Sequence, residues 1–156
     1  MIDDATFVEI SQASLPALYR ISLSIVRSQA DAQDAVQQGL LNAWAARARA
    51  YPGHERAWLT QIVIRECRNI QRYRMRVEPV AEPEETPCAP PDTTLREAID
   101  LLPEALRLPL LLKHMEGMTE AEVARALRLT LPAVKGRLLR ARRMLAKLLR
   151  EEVTFT

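Results

Sequence analysis

Residues able to make or break bonds are few and scattered in this 156-residue chain. No carboxylate pair stands with a histidine, and neither an activated nucleophile motif nor a glycine loop that could cradle phosphate occurs. The two cysteines, Cys67 and Cys88, fit neither a disulfide framework nor a metal-site spacing. No catalytic residue, metal or cofactor is therefore expected. What the spacing does offer is the chemistry of charge. From Lys135 to Arg150 there are seven Lys/Arg and no Asp or Glu. At about 100° per residue, Val134, Leu138, Ala141, Leu145 and Leu148 fall on one stripe. Arg140, Arg143 and Lys147 lie opposite, with Lys135 and Arg137 on the flanks. One side can pack while the rest is cationic, which suits a helix pressed into a DNA groove.

That helix needs a scaffold, and the preceding residues supply one. Thr119 and Glu122 form a T-x-x-E capping box for a short helix. Arg128 and Leu129 occupy the turn, where such motifs often have glycine. Thr130 caps the basic helix, and Pro132 fits its first turn. Upstream, a helix is predicted from about Leu95 to Leu102, and Pro103 opens another that Pro109 should bend and Gly117 should end. His114, a lone histidine near a helix end, reads as structural or solvent-facing.

Composition agrees with helices: Leu, Ala and Arg dominate and aromatics are 4% of residues. No apolar run reaches membrane-spanning length, so no membrane insertion is expected. The N-terminus, MIDDATFVEI, is acidic where a signal peptide would be basic. A reduced, cytoplasmic protein follows as the expectation. The net charge of +2 is unevenly placed. Residues 1–76 carry ten basic and seven acidic groups, 77–94 carry five acidic and no basic ones, and 95–156 carry twelve basic and eight acidic. Two mildly basic blocks flank an acidic strip.

The first block reads as three helices. Residues 3–27 are helical in pattern, with Ser14-Leu15-Pro16 a predicted break or restart. Its packing residues are Leu15, Leu18, Tyr19, Ser22, Ile25 and Val26. The second helix, roughly Ala30 to Arg49, has a core stripe of Ala32, Val36, Leu40 and Ala43. Opposite stand Asp31, Asp34, Gln38, Leu41, Asn42 and Ala45, with Trp44 at the stripe's edge. A solvated face explains the polar members but not Leu41, so a docking surface stands beside it as the second reading. After a turn at Tyr51-Pro52-Gly53-His54, the third helix spans about Glu55 to Arg76, burying Leu59, Ile62, Val63, Ile70 and Tyr73. Arg65, Arg68 and Arg72 share an outward face with Gln61. Glu66 falls within the apolar stripe, where an arginine or hydroxyl partner is predicted. Cys67 reads as a small core hydrophobe.

Residues 77–93, VEPVAEPEETPCAPPDT, form a proline-rich, acidic linker. At about 3.1 Å per residue they reach roughly 50 Å, enough to hold two small domains well apart. Cys88 within it reads as an exposed thiol or a redox handle.

DAQDAVQQGLLNAW (31–44) with AWLTQIVIRECRNIQRYRMR (57–76) resembles region 2 of the sigma-70 family. LPEALRLPLLLKHMEGMTEAEVARAL (102–127) with LPAVKGRLLRARRML (131–145) resembles its region 4. The two-block layout is that of the short extracytoplasmic-function group, and the resemblance spans nearly the whole chain. It implies an all-α fold of two small domains. Region 2 is a three-helix bundle at 1–76 and region 4 a helix-turn-helix unit at 94–156, joined by the flexible 77–93 linker. By position, Asp31, Asp34, Gln37, Gln38, Leu41 and Trp44 match the segment that grips the clamp helices of the RNA polymerase β′ subunit. Arg65, Arg68, Asn69 and Arg72 match the helix at the minus-ten element, and Tyr51 to Trp58 the part that captures an unstacked base. Lys135, Gly136, Arg137, Leu139, Arg140 and Arg143 match the reader of the minus-thirty-five element.

Three positions depart from the family pattern. Gln38 stands where glutamate is common, Arg65 where asparagine is frequent, and Arg128 where a turn glycine is usual. Tyr51 and Trp58 are the candidates for stacking on an extruded base, and Trp58 is equally a candidate for the core. The resemblance implies a factor that directs core RNA polymerase to promoter DNA and initiates transcription of a stress- or envelope-responsive regulon, sequestered by an anti-sigma factor. The rivals are a stand-alone helix-turn-helix regulator, which would need a dimerisation surface and no face around Asp34 and Leu41, and a non-DNA adaptor whose basic helix binds acidic protein or membrane.

Overall fold

The computed structural model describes residues 2–77 and 94–153, and every regular element among them is helical. The linker from residue 78 onward, and Cys88 with it, lies outside the described residues. Val77, assigned above to the linker, is the last residue of a helix.

Three helices make the first block: α1 (Asp4–Val26), α2 (Gln29–Ala45) and α3 (Glu55–Val77), with a 3₁₀ turn at Arg47–Arg49 after α2. Asp3 caps α1 by accepting the Thr6 amide at 2.7 Å, and these hydrogen bonds hold its carboxyl below the usual range. The predicted break at Pro16 does not occur: α1 runs through it. One backbone hydrogen bond is forgone there, but the helix stays seated along its length on α2 and α3. Leu18 and Ile21 are 2% exposed, while Leu15, predicted to pack, is 40% exposed. Ser28 caps α2, accepting from the Asp31 amide at 3.3 Å. The helix then buries Ala32, Val36 and Ala43, with Leu40 half-buried. At Gly39 an added Cβ would lie 2.7 Å from Val63 Cγ2 and 3.0 Å from Val63 Cα. Glycine lets α2 and α3 approach that closely.

On α3, Leu59, Ile62 and Val63 are buried as predicted, and Cys67 is fully buried. Two expectations fail. Tyr73 is 61% exposed, because it stands level with the first turn of α2, where Arg74 meets Asp31 at 2.5 Å and the bundle ends. Gln61 is buried instead of facing outward, and its Oε1 accepts the Tyr51 hydroxyl at 2.6 Å. Glu66 is paired, but by an amide: Asn42 Nδ2 donates to it at 2.7 Å.

The second block comprises α4 (Leu95–Leu101), α5 (Glu104–Leu110), α6 (Glu120–Leu127) and α7 (Leu131–Val153). Thr94 and Glu97 form a capping box for α4. Pro103 stands just before α5 rather than in its first turn. Pro109 bends the path as predicted: α5 loosens into a π-helical turn at Leu111–Met115, closed by the Glu116 amide on the Leu111 carbonyl at 3.0 Å. Gly117, at φ +68°, ends that stretch in the left-handed region.

The linker is long enough to separate the blocks, yet they pack together. Leu18, Val36, Trp58, Leu59 and Val63 form a core within the first block. Ile21, Ile25, Ile64 and Cys67, also from the first block, belong to the other core, with Leu102, Leu108, Val123, Val134 and Leu138 of the second. Fully burying such a side chain contributes about 1.5–3 kcal/mol, so the contact between blocks is a hydrophobic core and not a polar brush. Its edges are pinned by charge. Arg20 grips Glu116 through Nε and Nη2 at 3.1 and 2.9 Å, Arg56 donates to the Glu116 carbonyl, and Arg68 meets Glu104 at 2.8 Å.

Candidate polymerase and nucleic-acid interfaces

One exposed face lies along α2. Asp34, Gln37, Gln38 and Leu41 are exposed, Leu41 by 65%. With Asp31, Glu66, Asn69, Tyr73 and Arg74 they line a groove of about 610 Å³ between α2 and α3. Its polar wall is knitted together: Gln38 donates to Asn42 at 3.0 Å, and Asn42 in turn to Glu66. Asp31 belongs to this groove but is only 9% exposed and tied to Arg74. Trp44 lies outside it. Its ring meets Phe7 edge-on at 5.3 Å, and the Arg47 guanidinium stacks 3.8 Å from its centroid. Tyr73, read from the pattern as core, joins the groove because helical periodicity cannot tell where a bundle stops.

A second face lies on α3. Arg65, Asn69 and Arg72 are exposed, and Arg72 donates to Asn69. Arg68 is turned away to Glu104 of α5, which also accepts from Gln71 at 3.1 Å. The turn before α3 is tight: Gly53 takes φ +75° and donates its amide to Glu55 at 3.1 Å. Trp58 is 5% exposed and part of the first block's own core. Tyr51 is half-buried, and Arg125 of α6 lies 5.8 Å from its ring. Sequence reasoning missed Arg56, Arg107 and Glu116 altogether; Glu116 and Arg107 are charged residues at 8% and 4% exposure, and only burial reveals them.

The third face belongs to α6 and α7. The capping box closes as predicted, with the Glu122 amide donating to Thr119 Oγ1 at 3.1 Å and the Thr119 amide to Glu122 at 3.2 Å. Arg128 fills the turn at φ +56°, a left-handed conformation that glycine adopts more cheaply. Thr130 Oγ1 accepts the Ala133 amide at 3.3 Å and starts α7. Val134, Leu138, Ala141 and Leu148 are buried, while Lys135, Arg140, Arg143 and Lys147 are exposed. Leu139 is 48% exposed, and nothing lies within 4 Å of a Cβ placed on Gly136, so the start of α7 presents an open surface. Arg137 is partly diverted, reaching the Ala105 carbonyl at 3.5 Å, the acceptor that the missing amide of Pro109 leaves open. Beside this face Lys113 holds Glu120 at 2.7 Å, which keeps that carboxyl below its usual range. His114 meets Arg142 at 3.2 Å.

Among the described residues no helix is long and apolar enough to cross a membrane, and no cluster of three or more metal-ligating side chains occurs. Fold and faces define an all-helical protein of two units, one ending in a helix-turn-helix with a cationic second helix. The sigma-70 region 2 family matches residues 10–77, and sigma-70 region 4 matches residues 93–145. The ECF RNA polymerase sigma factor SigM of Mycobacterium tuberculosis is 32% identical over 140 residues, covering 85% of this chain and 71% of that protein. Among solved structures, the sigma factor RpoE in complex with the anti-sigma factor NepR from Bartonella quintana superposes with a TM-score of 0.71 at 25% identity, covering 91% of this chain and 97% of that one. CnrH, solved with the cytosolic domain of CnrY, gives 0.70 at 26% identity, over 96% of this chain and 91% of that one. The chain belongs to the sigma-70 family, in its extracytoplasmic-function group of RNA polymerase sigma factors. As a sigma factor it works with core RNA polymerase on promoter DNA to begin transcription, and the stand-alone regulator reading is not favoured.

Proposed function

We propose that the α2 groove lined by Asp31, Asp34, Gln37, Gln38 and Leu41, together with Trp44 beyond it on the same helix, takes the clamp helices of the polymerase β′ subunit. The observation that carries this reading is Leu41: a leucine 65% exposed on a helix whose Val36 and Leu40 pack. In the same reading Arg65, Arg68, Asn69 and Arg72 serve the minus-ten element, and the turn from Tyr51 to Trp58 receives an unstacked base. Trp58 is core and Tyr51 is the stacking residue. Lys135, Gly136, Arg137, Leu139, Arg140 and Arg143 meet the minus-thirty-five element, cations setting register on phosphates while the first turns of α7 read base edges. The first domain spans 1–76 and the second 94–156. The factor itself carries out no bond chemistry, which stays with the polymerase.

An anti-sigma factor is the proposed regulator, and the regulon a stress- or envelope-responsive one read in the cytoplasm. Of the solved relatives above, RpoE is bound to the anti-sigma factor NepR and CnrH to the cytosolic domain of CnrY. In this chain a cleft of about 690 Å³ between α1 and α4 has an apolar floor that includes Ile21, Ile99 and Leu111, and a rim of Arg20, Arg27 and Arg96. That pairing suits an amphipathic acidic helix.

The test is direct. Purified protein is added to sigma-free core polymerase and a library of promoter fragments, and transcript starts are mapped. Specific starts dependent on the protein are expected; no association with core and no initiation would sink the reading.

A further inference from the structure

Glu66 stands on the packed side of α3. It falls between Val63, fully buried, and Ile70, half-buried against the core, and is itself half-buried. A carboxylate on such a stripe loses hydration that partners must replace. Asn42 of α2 supplies one hydrogen bond, Nδ2 to Oε1 at 2.7 Å, where a carboxylate can accept several. Because a carboxylate only accepts, Asn42 must turn its amide nitrogen to Glu66 and its Oδ1 the other way. Gln38 Nε2 meets that oxygen at 3.0 Å. The three side chains form a directed relay from Gln38 through Asn42 to Glu66, which ends on the wall of the α2–α3 groove. A glutamate at position 38 would break it, since two acceptors would compete for one amide. The departure at Gln38 is thus matched by a carboxylate on the facing helix.

The charged residues lining the groove are Asp31, Asp34, Glu66 and Arg74. Arg74 lies 2.5 Å from Asp31, so Asp34 and Glu66 set the sign around the exposed Leu41. An apolar side chain between carboxylates on two helices suits a partner helix whose apolar stripe is bordered by cations. We infer that Glu66 takes a basic side chain of the polymerase clamp helices, and that Gln38 and Asn42 are positioning residues that aim it. The inference rests on the clamp-helix reading of the groove and adds the carboxylate that fixes its charge.

Full-length wild type, Glu66→Gln, Gln38→Glu/Glu66→Gln and Leu41→Arg, each labelled with fluorescein at the N-terminus, are titrated with core RNA polymerase. Anisotropy is followed between roughly 0.05 and 0.5 M salt. Glutamine at position 66 keeps an acceptor for Asn42, so the melting temperature by circular dichroism should not fall. Core affinity of Glu66→Gln should drop about tenfold at the low-salt end, as for a lost charge-assisted hydrogen bond, and the gap should narrow as salt rises. In the double variant the relay runs in reverse: the new amide donates to Asn42, and Asn42 to the new carboxylate on α2. Its core affinity should recover to within about threefold of wild type. If Glu66→Gln binds core as wild type does while Leu41→Arg does not bind, the inference is overturned and the groove reading stands. Wild-type affinity in Leu41→Arg overturns the groove reading and the inference with it. A loss at Glu66→Gln that salt leaves unchanged marks a structural glutamate and overturns the contact. A loss that the double variant fails to recover overturns the relay.

Discussion

Arg107 and Ser24 join the two blocks through one cation. Arg107 of α5 is 4% exposed; its Nε donates to Ser24 Oγ and its Nη2 to the Ser24 carbonyl, both at 2.8 Å, while Nη1 holds the Leu102 carbonyl at 2.6 Å. A planar fork reaches three acceptors that lysine, a point charge, cannot span. Arg107→Lys is expected to lower unfolding free energy by about 1.5–3 kcal/mol, the worth of a hydrogen bond to a charged group or somewhat more. Urea denaturation followed by circular dichroism measures it, and an unshifted midpoint would show that these bonds contribute nothing net.

Leu41→Arg concerns the polymerase alone. The residue is 65% exposed and packs on no core, so the stability change is expected within about 0.5 kcal/mol. Binding to core polymerase, followed by co-purification or fluorescence anisotropy, should be abolished. Unchanged affinity would place the docking face elsewhere.

Arg140→Ala should weaken binding to duplex promoter DNA while leaving core association intact. Arg140 is exposed on the cationic side of α7, with its Nε only lightly held by the Gly136 carbonyl at 3.4 Å. If it meets a phosphate, the slope of log affinity against log salt should fall by about 1; if it reads a base, one minus-thirty-five position should relax instead. Neither change would count against α7 as the reader.

Cys67 supplies a pH expectation. Burial pushes its thiol up from the ordinary 9.0. The folded value lies above the unfolded one, so the stabilising contribution is present below pH 9.0 and is lost as the pH rises through the folded value. Only the thiolate alkylates. On a Cys88→Ser background, iodoacetamide should therefore modify the native protein far more slowly than the urea-unfolded chain at pH 8.5. Unfolding midpoints should begin to fall above about pH 9. Equal native and unfolded labelling rates would contradict the burial.

Most of the helices were legible because their periodicity and caps are local. The T-x-x-E box at Thr119, the Thr130 cap and the α7 stripe from Val134 to Leu148 depend on neighbours within a few residues. The structure reproduces them almost residue for residue. Three misreadings share one cause. Pro16 does not break α1, Gln61 is buried and Tyr73 is exposed, and each outcome depends on what packs against the helix rather than on the helix itself. Periodicity defines a face; it does not say how far along that face a partner extends.

The sequence by itself determined the fold class, the two-block order, the cationic reader and the exposed leucine at position 41, since composition, spacing and capping act over short range. Tertiary structure alone decided that the blocks close on each other. It also decided that Ile21, Ile25 and Ile64 belong to a shared core, and that Arg20, Arg107 and Glu116 are the residues fastening it. Those contacts join residues as far apart as Arg20 and Glu116, separated by 96 positions. No local pattern encodes such a meeting, because its free energy comes from desolvating surfaces that exist only once both blocks have folded.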